Sequence, residues 1–124
     1  MIAQKHGVSS EQLIATARAE LEKRRRQGKI CPGVFSSNPA LTMMLELYVA
    51  EAEKARSQTI YLIEAAGLSR GTGVRWLHHM NELGLVRRMI SENDHRSKFV
   101  ELTKAGRSTM EDYLIECREV DSCK

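Results

Sequence analysis

Aromatic side chains are scarce in this chain: one Trp, three Tyr and two Phe make up 5% of its 124 residues. Any core must be built from aliphatic side chains and Met, which is ordinary for a helical globular domain at 42% hydrophobic residues. Cysteine is scarce too. Cys31, Cys117 and Cys123 are odd in number and contain no C-x-x-C pair, which excludes a disulfide framework and a cysteine-based metal site. Cys31 and Cys117 read as small apolar residues rather than redox sensors, since a reactive thiol needs surroundings that lower its pKa. Cys123 reads as an exposed tail residue. No apolar run has the length of a membrane span. No leader pattern stands at the N-terminus, so the expected location is the cytoplasm, with thiols reduced.

The groups of a catalytic centre are also missing. No paired carboxylates, nucleophile–base constellation or phosphate loop can be assembled. Gly71-Thr72-Gly73 lies inside a helical pattern and lacks the preceding strand and third glycine of a phosphate loop. His78 and His79 are adjacent and diverge by about 100° on a helix, whereas paired metal ligands sit at i, i+4. No enzyme activity, metal or cofactor is expected. There is no internal repeat, and the length suits one domain able to bury a core without staples.

The charge that is present is unevenly placed. Residues 1–68 carry nine basic and seven acidic side chains, residues 69–107 eight and four, and residues 108–124 two and five. Positive charge is thus concentrated in the middle of the chain, the footprint of a nucleic-acid binder, and an acidic C-terminal helix should face away from a polyanion.

That middle region, Gly67 to Leu102, organises the rest. Ser69 is an N-cap whose hydroxyl can accept from the next turn. Gly73, Trp76, Leu77, Met80 and Leu83 or Gly84 recur at helical spacing and form the buried face. Arg70, Thr72, Val74, Arg75, His78 and His79 occupy the other face, with no carboxylate before Glu82. Gly71 and Gly73 each cost up to ~1 kcal/mol relative to Ala in a helix interior, so a loosely ordered helix start is expected. Gly84 stops the helix at C′. Leu85–Ile90 and Lys98–Leu102 read as two short strands, and the polar run Ser91–Ser97 as the loop between them.

Around this unit, Ser9 and Gln12 form a capping box for a helix that reaches Arg26 and ends at Gly28, with Leu13, Ile14, Ala17 and Leu21 as its stripe. Met1–Val8 reads as loose. The cluster Lys23–Arg26 reads as basic residues favoured at a helix C-terminus rather than as a DNA contact. Lys29–Ser37 is a linker. Asn38 and Pro39 are N-cap and N1 of a core helix to about Ala55. Arg56–Gln58 reads as a short strand or turn. A short helix over 59–66, with Ile60, Leu62 and Ile63 available to the core, precedes the Gly67 turn; two helices joined by a tight Gly-containing turn are the helix-turn-helix signature. Thr103 caps a last helix, Lys104 to about Val120, with Met110, Tyr113, Leu114 and Cys117 on one side.

The stretch from about Pro39 to Gly106 resembles the winged helix-turn-helix of the multiple-antibiotic-resistance regulator (MarR) family of bacterial transcription factors. The residues that carry the resemblance are GLS before the helix, TGVRWLHHMNELGLVRR, the loop residues Asp94, His95 and Arg96, and the exit FVELTKAG. The expected fold is therefore mainly α with a small β-hairpin (α+β), a winged helix-turn-helix flanked by N- and C-terminal helices. Residues 1–37 and 104–124 are the expected dimerisation segments and 38–103 the DNA-binding domain.

The expected function is a sequence-specific DNA-binding transcriptional regulator, with a recognition helix at about 69–83 in the major groove. The wing, at about 91–97, would lie on the backbone or in the minor groove. Ser69, Arg70, Thr72, Val74, Arg75 and His79 are the candidate helix contacts: Arg forks onto guanine, Thr bonds to base or phosphate, and an apolar group touches a thymine methyl. Arg87 and Lys98 are candidate phosphate contacts. The resemblance implies that Arg96 reaches backbone or minor groove and that Asp94 orients it. Expected partners are double-stranded DNA, a second copy of the chain, and a small-molecule effector of unknown identity; no membrane is expected. Two alternatives are a winged-helix protein-interaction module and a non-specific DNA-binding protein.

Overall fold

A computed structural model describes residues 4–5, 7–30, 38–90 and 97–122. The elements run β1 (Gln4–Lys5), β2 (Val8–Ser9), α1 (Ser10–Ile30), α2 (Pro39–Ala52), β3 (Ser57–Gln58), α3 (Thr59–Ala65), α4 (Arg70–Glu82), β4 (Val86–Ile90), β5 (Ser97–Leu102) and α5 (Lys104–Ser122).

Four of the five helices start where a side chain supplies a partner for the free N–H groups; α3, after Gln58, has no side-chain cap. At α1, the Gln12 N–H donates to Ser9 Oγ at 3.2 Å, and the Ser9 N–H donates to Gln12 Oε1 at 2.9 Å. This is the expected capping box. At α2, Asn38 Oδ1 accepts from the Leu41 N–H at 3.1 Å, with Pro39 at N1. At α5, Thr103 Oγ1 accepts from the Gly106 N–H at 3.0 Å and donates to the Gly84 carbonyl. That single hydroxyl ties the exit of the sheet to the turn after α4.

Leu13, Ala17 and Leu21 of α1, Met43, Leu45 and Leu47 of α2, Leu62 of α3, Leu77 and Met80 of α4, and Met110 and Leu114 of α5 share one buried cluster with Val86, Val100 and Leu102 of the sheet. The α1 stripe is thus covered by its own chain. The sheet is antiparallel in the order β3-β5-β4, with Ser57 opposite Val100 and Val86 opposite Leu102. Its register shifts between Met89 and Ile90, where the hairpin leaves for the wing. Gly106 is required by this arrangement: a Cβ there would stand 2.0 Å from the Leu85 carbonyl oxygen.

Polar ties link the long helices. Arg107 donates through Nε and Nη2 to the two carboxylate oxygens of Glu51, closing α5 onto α2. Glu111 is buried and accepts from the Tyr48 hydroxyl at 3.3 Å. Burial, with the neighbouring Glu111 charge second, pushes the Tyr48 pKa upward, so the hydroxyl stays protonated. Arg118 to Thr16 and Tyr113 to Glu20 join α5 to α1.

Four expectations change. The N-terminal residues hold a small hairpin rather than a loose strand-free segment: β1 pairs with β2, and Gly7 turns between them at φ 75. Helix α1 passes through Gly28 to Ile30, because Gly28 lacks the positive φ that a C′ glycine uses to reverse the chain. Ile60 is 51% exposed rather than in the core, because Thr59, Leu62 and Ile63 define the inward side of α3. Trp76 and Leu83, expected on the buried face of α4, are respectively half-buried and exposed, for the reason given below.

Candidate nucleic-acid interface

Helix α4 is positioned by its two ends and by one glycine. Gly67, at φ 71, reverses the chain after α3, and its N–H donates to the Glu64 carbonyl at 3.0 Å. Ser69 caps α4: its hydroxyl accepts from the Thr72 N–H at 3.4 Å and donates to Thr72 Oγ1 at 3.1 Å. Gly84, at φ 78, ends it. Between the ends, Gly73 lies directly on Ile63 of α3. A Cβ at Gly73 would stand 2.5 Å from two Ile63 side-chain carbons. The glycine that costs helix propensity is what lets the two helices approach. Gly71 meets nothing within 4 Å.

This close seat narrows the buried stripe of α4 to Gly73, Leu77 and Met80. Successive residues turn by about 100°, so Trp76 stands at the margin of that stripe and Leu83 falls beyond the last helical turn. Trp76 packs partly against the core and partly lines an open depression of about 260 Å³ with Thr72, Arg75 and His79. These four residues lie at i, i+3, i+4 and i+7, which is one face of the helix.

The structure therefore brings together Thr72, Arg75 and His79 among the candidate residues. Arg70 is exposed and stands two positions from Thr72, about 200° around the axis. Val74 is half-buried and packs against the core cluster rather than lying on the open face. The Ser69 hydroxyl is engaged as the cap. No acidic residue occupies the first turn of α4. His78 faces Glu82 at 3.6 Å. Arg87 donates to Glu101 Oε1 at 2.9 Å across the β4–β5 ladder, and Lys98 is exposed on β5. Asp94 and Arg96, with His95 between them, lie outside the described residues, as do Cys31 and Cys123. Cys117 is half-buried beside Tyr113, whose pKa is pushed upward first by burial and then by the bond to Cys117.

Two further features carry no signal in the sequence. The marginal place of Trp76 is one, since a Trp at helical spacing among Leu and Met carries no signal that separates core from margin. The Arg88 Nε is buried with no hydrogen-bond partner among the described residues, a property of β4 packing that the run VRRMI does not disclose. Nearby, the Arg56 guanidinium lies 5.2 Å over the Phe99 ring.

No protein-family model and no curated protein matches the chain. Solved structures do. The S. aureus protein MepR in a DNA-binding conformation aligns with 86% of this chain and 74% of its own, at 16% identity and a TM-score of 0.58. A MarR family transcriptional regulator from Silicibacter pomeroyi covers 84% of this chain and 63% of its own, at 20% identity and a TM-score of 0.54. A MarR family regulator from Neisseria meningitidis covers 82% and 75%, at 14% identity and a TM-score of 0.55. The fold is the MarR-type winged helix. Within that fold, α3 and α4 form the helix-turn-helix and β4 and β5 the base of the wing, with β3 as the third strand. The MarR-type fold here also holds no group of three His, Cys, Asp or Glu that could bind a metal ion, among the described residues. None of its described helices is long and apolar enough to cross a membrane.

Proposed function

We propose that the chain is a sequence-specific DNA-binding transcriptional regulator of MarR type. Helix α4 enters the major groove, and the wing, residues 91–97, lies on the backbone or in the minor groove. The observation that carries this reading is the open face of α4. Thr72, Arg75 and His79 converge there on a rigid seat, and Arg75 makes no ion pair or hydrogen bond among the described residues. A cation held out from a packed helix, with no acidic residue in its first turn, suits a polyanion. Ser69, Arg70, Val74, Arg87, Asp94, Arg96 and Lys98 complete the proposed interface.

The same reading takes the chain as a cytoplasmic homodimer on a pseudo-palindrome, the two recognition helices about 34–36 Å apart. Segments 1–37 and 104–124 supply the seam, through the outer faces of α1 and α5, which pack side by side. The test is binding to a pool of random duplex DNA at two salt concentrations, with light scattering on the same sample. Enrichment of an inverted repeat by a dimer, weakened steeply by salt, is the expected result. No duplex binding at either salt would sink it. A second reading, a protein-interaction module, is favoured by Ile60, Tyr61 and Leu83, which are 51%, 49% and 60% exposed. Salt-independent retention of a protein without DNA binding would support that reading instead.

A further inference from the structure

The depression on α4 differs from the charged surface around it. Its walls are almost wholly carbon, although the residues that form them are Thr72, Arg75, Trp76 and His79. Three of the four are polar by name, yet the surface they present to the depression is mainly carbon, and the Thr72 hydroxyl is engaged with Ser69. Trp76 is anchored there, because it also packs against the buried cluster.

We propose that this depression seats the 5-methyl group of a thymine, with Trp76 as a specificity-determining residue. The inference rests on the DNA-binding reading above and deepens it. The major groove presents only one apolar group, the thymine methyl. A carbon-lined seat in the middle of a groove-entering helix therefore has one base to prefer. Cytosine in the same place carries only a hydrogen at C5 and would leave the seat unfilled. The rim supplies the register: the Arg75 guanidinium can fork onto a neighbouring guanine, and His79 can reach the adjacent phosphate or base edge. The seat is wide enough, at about 260 Å³, for the methyl and the adjoining edge of the pyrimidine ring.

The test uses the full chain and the duplex it enriches from a random pool, or a mixed-sequence duplex if no single site emerges. Each DNA is made with thymine or with deoxyuridine, which lacks only the methyl group, and dissociation constants are measured by fluorescence anisotropy. Wild-type protein should bind about fourfold more weakly when the thymine in the seat becomes deoxyuridine, the effect of one buried methyl. Trp76→Leu should bind the two DNAs equally, and Trp76→Phe should keep part of the difference. Because Trp76 also packs on the core, the wild-type comparison stands without any variant. Indifference of the wild-type protein to deoxyuridine at every position overturns the thymine seat and leaves DNA binding intact. So does an undiminished preference in Trp76→Leu. Failure to bind any duplex overturns both readings together.

Discussion

Between Lys23 and Arg26, α1 carries four consecutive cations, whereas α4 carries two arginines and two histidines along its whole length. By charge density alone α1 would be the better candidate for a phosphate backbone. The structure uses the two sets differently. Three of the four consecutive cations of α1 are engaged: Lys23 pairs with Glu20 at 3.3 Å, Arg24 donates to Thr42 at 3.0 Å, and Arg25 reaches Glu22 at 3.2 Å and Glu46 at 3.8 Å. Those side chains hold α1 to itself and to α2. Arg70 and Arg75 find no such partner among the described residues, and Gly73 sets the helix that carries them firmly on α3. What sets the proposed interface apart is charge left unmatched on a fixed support rather than charge in quantity.

The sharpest way to break this comparison is to lift α4 from its support. Gly73→Ala puts a methyl against Ile63, which is branched and only 4% exposed, so it cannot yield easily. The expected loss is about 2–3 kcal/mol of stability from overpacking, with DNA affinity falling too. Gly71→Ala, which meets open space, should gain a few tenths to about 1 kcal/mol from helix propensity. Chemical denaturation of both variants decides the matter. Equal midpoints would mean that the α3–α4 contact does not fix the helix.

The next largest effect concerns the charges themselves. Arg75→Ala should weaken DNA binding by about 1–3 kcal/mol, or about fivefold and more, and relax specificity at one base pair. Arg25→Ala should change affinity by less than about twofold, since an exposed, internally paired cation contributes little. Thermal melting of both variants should remain near that of the unmodified chain. Equal losses of affinity would show that net positive charge, and not the α4 face, drives binding.

Part of this contrast is legible in the amino-acid sequence. The caps at Ser9, Asn38, Ser69 and Thr103 were legible because a side-chain oxygen at a fixed offset has one job at a helix start. The reversals at Gly67 and Gly84 were legible for a similar reason. The wide stripe of α2 and the winged order of elements followed from local spacing. Three features were not legible. The closeness of α4 to α3 depends on which residue of a neighbouring helix faces Gly73, which is a tertiary fact. The marginal placement of Trp76 follows from that closeness. The pairing of Arg25 with Glu46 joins residues of two helices, and no local pattern announces it. Gly73 itself was read as a cost in helix propensity, and its packing benefit became visible only beside Ile63.

The smallest effect is the most discriminating test of the comparison, because Arg87 belongs to the proposed interface yet is paired like the cations of α1. Its guanidinium lies 2.9 Å from Glu101, with both side chains well exposed at 67% and 43%. An exposed pair of this kind contributes no more than about 0.5 kcal/mol in water, so Glu101→Gln should leave the melting temperature almost unchanged. It removes a negative charge beside the proposed DNA path and releases Arg87, so affinity should rise by about two- to fivefold at low salt and converge with the unmodified chain as salt is raised. Glu22→Gln, which releases Arg25 in the same way on α1, should raise affinity by much less. If the two variants gain equally, proximity to the polyanion does not distinguish β4 from α1, and Arg87 has no place in the interface.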